Sequence, residues 1–155
     1  MRVHIGSDHA GFEAKAALVA ALIERGHEVA DHGPREYDAV DDYPPFCLAT
    51  GAAVVADPGS LGIVLGGSGN GEQMAANKVD GVRAALVWSE ETAQLAREHN
   101  DANVISVGAR MHDAADVLRF VEVFLQTPFS GDSRHVRRID QLADYERTGV
   151  LPPTS

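Results

Sequence analysis

The stretch "GIVLGGSGNGEQMAANK", Gly62 to Lys78, decides the fold. It opens as a run of small and aliphatic residues with nothing polar, the pattern of a strand buried on both faces. The run then breaks into four glycines between Gly66 and Gly71 and reaches a carboxylate, Glu72, where the pattern predicts a short helix over Glu72–Lys78. A buried strand that passes through a glycine loop into a helix is the repeating step of a parallel α/β sheet.

The same step recurs along the chain. Strands are predicted at Arg2–Ser7, His27–Gly33, Leu61–Gly66, Val82–Trp88 and Asn103–Gly108. Between them, Gly11–Gly26 carries apolar residues at helical spacing and ends on a glycine suited to the C′ position. A polar, Pro-bounded loop over Pro34–Pro45 precedes a helix at Phe46–Ala56, and Ser89 is placed to cap a helix at Glu90–Asn100. Two closing helices are expected near Asp113–Gln126 and Ser133–Thr148. Parallel neighbours need crossover connections, so the expectation is one three-layer α/β/α sandwich around a five-stranded parallel sheet. It would occupy residues 1–148 as a single domain, with 149–155 as a flexible tail.

A chain of 155 residues with 45% hydrophobic and 23% charged residues has the profile of one ordinary globular domain. The single cysteine, Cys47, excludes an internal disulfide and any multi-cysteine metal site and fits a reducing compartment. No segment has the length and apolarity of a membrane span, and the amino terminus lacks the pattern of a secretory leader, so the expectation is a cytoplasmic protein. A net charge of −10 argues against a nucleic-acid surface.

In sheets of this kind ligands bind beyond the carboxyl ends of the strands. The glycine loop there matches neither common nucleotide motif: no Gly-Lys-Ser/Thr follows it, and Gly67-Ser68-Gly69-Asn70-Gly71 lacks the G-x-G-x-x-G spacing. Two readings remain. The loop amides could hold a small oxyanion while Glu72 moves a proton, or the loop is a tight turn with a first-turn glutamate favouring the helix dipole. Asp8-His9 after the first strand fits either catalysis or a turn with an aspartate cap. His99-Asn100 fits a site or an ordinary helix end. Arg134 and Arg138 share a helical face and in an acidic chain suggest an anion such as phosphate, with a solvated charged helix as the alternative.

Taken together, "GSDHAGFEAK", "DYPPFC", "GIVLGGSGNGEQMAANK", "LAREHNDANVISVGAR" and "RHVRRIDQL" resemble the RpiB/LacAB family of sugar-phosphate isomerases. The resemblance runs from Arg2 to about Thr148. It implies a Rossmann-like fold with strand order 2-1-3-5-4, and homodimers or tetramers whose active sites draw residues from two subunits. The implied activity is the interconversion of ribose 5-phosphate and ribulose 5-phosphate, a step of the pentose phosphate pathway, without metal or other cofactor. Many members carry a cysteine base immediately after the third strand. This chain has Gly66 there, and so resembles the subgroup whose base is the loop glutamate.

By that resemblance Glu72 carries the proton between C2 and C1, while Ser68 and the amides around Gly67, Gly69, Asn70 and Gly71 stabilise the enediolate. His99 is the acid for ring opening, Asp8 handles a sugar hydroxyl proton and Asn100 holds a substrate oxygen. His9, Arg110, Arg134 and Arg138 bind the phosphate, and Tyr43 packs along the sugar. No cluster of metal ligands is expected. Hexose 6-phosphate isomerisation, a non-catalytic sugar-phosphate sensor and a flavodoxin-like nucleotide module are the alternatives.

Overall fold

In the computed structural model, which describes residues 1–154, strands and helices alternate from the first residues onward. The order is β1 (Arg2–Ser7), a 3₁₀ turn (His9–Gly11), α1 (Phe12–Glu24), β2 (Glu28–Asp31), α2 (Tyr43–Ala56), β3 (Leu61–Gly66) and α3 (Asn70–Ala76). It continues with β4 (Ala84–Val87), α4 (Glu90–Asn100), β5 (Val104–Gly108), α5 (Ala114–Gln126) and α6 (Ser133–Thr148). All pairings are parallel, and the sheet order is β2-β1-β3-β5-β4, as the resemblance implied.

Two helices start earlier than the sequence pattern indicates, each for a local reason. α2 begins at Tyr43 and takes Pro44 and Pro45 into its first turn, where the missing N–H groups have no intrahelical role. α3 begins at Asn70 because Gly69, at φ +83°, turns the chain in the left-handed region before Glu72 is reached. Glu72 therefore stands inside the first turn instead of at its start. Ser89 caps α4 as expected, in a reciprocal arrangement with Thr92.

The hydrophobic layers show why β3 is apolar throughout. One face of the sheet packs Ile5, Ile63, Leu65, Ile105 and Val107 against Leu18 and Leu22 of α1, Ala93 and Ala96 of α4, and Val117, Val121 and Phe124 of α5. The other packs Val64, Ala84 and Val104 against Cys47 and Val54 of α2 and Ala75 and Ala76 of α3. Each fully buried aliphatic side chain contributes about 1.5–3 kcal/mol, so a polar residue within β3 would lose that on whichever face it met. α6 lies outside these layers, with only His135 buried.

From β1 the chain moves outward to β2, then returns past β1 to place β3 on its other side. The carboxyl ends of β1 and β3 thus flank a topological switch point, where the sheet opens a crevice. Asp8 follows β1 there, and the glycine loop follows β3.

Candidate active site

Three loops leave the carboxyl ends of the central strands, and backbone hydrogen bonds lace them together. The Asp8 N–H donates to Leu65 O at 3.3 Å, that of Ala109 to Gly66 O at 2.8 Å and that of Arg110 to Gly67 O at 3.1 Å. Buried Ser106 on β5 donates its hydroxyl to Gly69 O at 2.7 Å, fixing the loop at the residue where it turns. The amides of Gly67 to Gly71 are therefore carried on a braced frame.

Glu72 is the centre of this frame. It is only 4% exposed, and its carboxylate fills the space above Gly66: a Cβ at Gly66 would lie no farther than 2.6 Å from Oε1, Cδ or Oε2. Burial raises the Glu72 carboxyl above the ordinary glutamate range, and the nearby Asp8 charge adds to the effect. Hydrogen bonding to the backbone of Glu72 itself and of Gly69 opposes the rise without reversing it. A first-turn glutamate serving only the helix dipole would be exposed and easily ionised.

Asp8 takes the capping role anticipated for it. Its Oδ1 accepts the Ala10 and Gly11 N–H groups at 2.9 and 3.2 Å and so caps the 3₁₀ turn, while Oδ2 takes no part in the cap. Tyr43 lies against the loop, with a Cβ at Gly71 falling 2.7 Å from Tyr43 Cζ. Ser68 is exposed and its hydroxyl accepts the Asn70 N–H at 3.3 Å. Arg110 is exposed beside Gly67.

Four of the expected residues lie elsewhere. α4 runs back along the sheet, so His99 and Asn100 fall near the amino ends of β4 and β5, where Arg83, just ahead of β4, donates to Asn100 O at 3.1 Å. Arg134 and Arg138 are exposed on α6, and His135 between them stacks on His99 with ring centroids 4.4 Å apart. Burial and the neighbouring His99 lower the affinity of His135 for a proton. A six-residue strand spans roughly 20 Å, so within one chain these four residues do not meet Glu72.

Cys47 is fully buried on α2, beneath the site. Its thiol is pushed up to about 12, first by burial and then by the Glu72 and Asp8 charges, which leaves it protonated and unreactive at neutral pH. The absence of clustered metal ligands expected from sequence is corrected by the fold: Asp8, His9 and Asp41 offer atoms within 4.8 Å of one another. All three already make contacts of their own, since Asp8 Oδ1 caps its turn and His9 Nδ1 pairs with Asp41 Oδ1 at 2.8 Å. Asp41, His135 and Ser106 are the site neighbours that sequence reading missed. Asp41 stands among Asp38, Asp41 and Asp42 in an irregular loop, where no periodicity marks the one that turns inward.

Comparison with known proteins shows the family. Residues 3–142 match the family model described as Ribose/Galactose Isomerase. The chain is 61% identical over 153 residues to ribose-5-phosphate isomerase B of Mycolicibacterium paratuberculosis, covering 99% of this chain and 96% of that one. It is 60% identical to the protein of the same name from Mycobacterium tuberculosis, over 99% of this chain and 94% of the other. Among solved structures, ribose-5-phosphate isomerase B of Mycoplasma genitalium with bound ribulose-5-phosphate superposes with a TM-score of 0.91 at 41% identity, covering 95% and 97% of the two chains. The Clostridium thermocellum enzyme superposes with a TM-score of 0.92 at 37% identity, over 97% of this chain and all 100% of that one. A glycine loop closed over by a buried acid, in a chain this similar along its whole length to those isomerases, belongs to the ribose/galactose isomerase family.

Proposed function

We propose that this chain, as one domain over residues 1–148, interconverts ribose 5-phosphate and ribulose 5-phosphate, with Glu72 as the base. The observation that carries the reading is the buried Glu72 carboxylate, held above its ordinary proton affinity beside a braced run of loop amides. Aldose–ketose isomerisation needs one group that takes the C2 proton and returns it at C1, and a fixed set of donors for the enediolate oxygen. Glu72 supplies the first. Ser68 and the amides of Gly67, Gly69, Asn70 and Gly71 supply the second. Asp8 Oδ2, free of the cap, receives a sugar hydroxyl proton, and Tyr43 lines the sugar.

The site is completed by a second copy of the chain. His99 for ring opening, Asn100 for a substrate oxygen, and Arg134 and Arg138 for the phosphate stand at the opposite end of the sheet from Glu72, so a partner has to bring them. The surface left for that partner is apolar: Trp88, Leu142 and Tyr145 are exposed along a cleft of about 750 Å³ between β4 and α6. His9 and Arg110 meet the phosphate from the Glu72 side.

The reading is tested by isomerase assay on ribose 5-phosphate in the presence of a chelator, with allose 6-phosphate and galactose 6-phosphate run alongside. Turnover of the pentose phosphate, undiminished by chelation, is expected. Activity restored only by a divalent ion would move the chemistry to the Asp8, His9 and Asp41 cluster, and faster turnover of a six-carbon substrate would reassign the substrate.

A further inference from the structure

Three side chains of metal-ligand type meet where the 3₁₀ turn after β1 faces the loop between β2 and α2. Asp8, His9 and Asp41 each offer one atom, all within 4.8 Å of one another. Around His9 Nδ1, Asp41 Oδ1 lies at 2.8 Å and Asp8 Oδ2 at 3.9 Å. Zinc holds imidazole nitrogen and carboxylate oxygen at about 2.0–2.2 Å, so neighbouring ligands of a tetrahedral ion stand about 3.4 Å apart. The two observed spacings bracket that value. The backbone fixes both acids without using up their oxygens: Asp8 Oδ1 accepts the Ala10 and Gly11 N–H groups, and Asp41 Oδ1 accepts the His9 N–H at 2.9 Å. Asp41 adds an independent sign. Its Oδ2 is fully buried with no donor among the described residues, on a side chain only 9% exposed. An unpartnered carboxylate oxygen at that depth costs free energy, which a cation on the same carboxylate would offset.

We propose that Asp8 Oδ2, His9 Nδ1 and the Asp41 carboxylate form a binding site for one divalent transition-metal ion of the zinc type, and that the bound ion inhibits by competing with the sugar phosphate. The ion takes the place of the hydrogen between Nδ1 and Asp41 Oδ1, and the ring keeps its proton on Nε2. An imidazole nitrogen beside two carboxylates suits zinc or cobalt, whereas magnesium and calcium favour shells of oxygen alone. The His9 side chain is 24% exposed against 10% for Asp8 and 9% for Asp41, so the ion enters from the side of the ring. The inhibition rests on the reading of Asp8 Oδ2 as the acceptor of a sugar hydroxyl proton, because the ion holds that oxygen. The proposed isomerisation itself uses no metal.

The test titrates zinc chloride and cobalt chloride into the parent, Asp41→Asn and His9→Asn, read by calorimetry and by the visible absorption of four-coordinate cobalt(II), with magnesium chloride as the control. One zinc ion per chain should bind the parent and be lost from both variants. Removing even an outer-shell partner costs a metal site about 10- to 100-fold in affinity, so removing a ligand should cost at least that much. Asp41→Asn keeps an oxygen for the His9 N–H and should unfold near the parental temperature. In assays on ribose 5-phosphate, zinc should raise the KM of the parent, a chelator should reverse the rise, and Asp41→Asn should need about tenfold more zinc for the same effect. The proposal is overturned by parental zinc affinity in both variants, which would put the ion on the stacked His99 and His135 rings, by magnesium binding as tightly as zinc, or by zinc bound at this site with KM unchanged. A parent inactive on ribose 5-phosphate would sink the functional reading and the inhibition drawn from it, while calorimetry and the cobalt spectrum would still decide the metal site.

Discussion

The carboxylate of Glu72 occupies the volume that a side chain at position 66 would need. A Cβ on Gly66 would overlap Oε1, Cδ and Oε2, all within 2.6 Å of it. The two positions are mutually exclusive in space. Members of the family that place a cysteine base after the third strand put reactive chemistry at the site of Gly66, and here the acid leans into that vacant volume from α3.

That relationship predicts a coupled pair of substitutions. Gly66→Ala should destabilise the fold by about 1–3 kcal/mol, because the added methyl has to displace a buried carboxylate on a short helix. Glu72→Ala clears the space, so the double variant should cost less than the sum of the two singles by about 1 kcal/mol or more. Denaturant unfolding of the four proteins measures this directly, and additive effects would show that the loop yields freely.

The split of site residues between the two ends of the sheet predicts complementation between inactive chains. If Glu72 acts with the partner's residues, Glu72→Gln and His99→Asn homodimers are each defective, while a mixed dimer carries one doubly altered site and one intact site. Co-refolded in equal amounts, the pair should recover about a quarter of parental activity, since half the dimers are mixed and each has one good site of two. No recovery would mean that both residues serve the same site from one chain.

The fold was legible because its signals are local and redundant. β3 is apolar at every position, Ser89 is a cap by residue type, and Gly26 takes the left-handed conformation, φ +84°, that its place after a helix suggested. The shifted starts of α2 and α3 came from turn chemistry that periodicity does not register, namely Pro44 and Pro45 in a first turn and the left-handed Gly69. At the site, Glu72 was visible from its place after the glycines. The contest over its proton was not, because the helix dipole and burial act in opposite directions and only the three-dimensional enclosure sets the second. Asp41 and His135 were hidden for a different reason: what singles them out is a partner far away in sequence, His9 in one case and His99 in the other.

The proposed phosphate contact of α6 predicts a capture defect with little change in the chemical step. A charge-assisted hydrogen bond contributes roughly 1.5–3 kcal/mol, so Arg138→Ala should lower kcat/KM about ten- to a hundredfold, chiefly through KM. Arg137→Ala, to the side of that pair on the same exposed helix, is the control and should leave both constants near the parent. Equal effects of the two would point to general surface charge instead of a directed contact.

Glu72→Gln separates catalysis from structure, because the two accounts predict opposite signs. The Glu72 carboxyl is raised in the folded protein by burial and by Asp8, so its ionisation works against the fold. A raised carboxyl leaves stability intact below the ordinary glutamate value, and that stability is lost as pH rises through the folded value. Glutamine, which never ionises, should therefore make the protein more stable than the parent at neutral pH, with the gap closing as pH falls through that window. A glutamate serving the helix dipole would give the reverse, a loss of at most about 1 kcal/mol at neutral pH. Turnover should move against stability. General-base catalysis contributes about 10²- to 10⁴-fold, so kcat should fall by that scale, and exchange of the C2 proton with deuterated solvent should fall with it. The parent's kcat/KM should climb on its acid limb with an apparent midpoint above the ordinary glutamate range. Cys47→Ser completes the comparison: the thiol is buried and protonated to about 12, so replacing it should leave proton exchange intact. Parental exchange rates in Glu72→Gln, or their loss in Cys47→Ser, would transfer the base to another group.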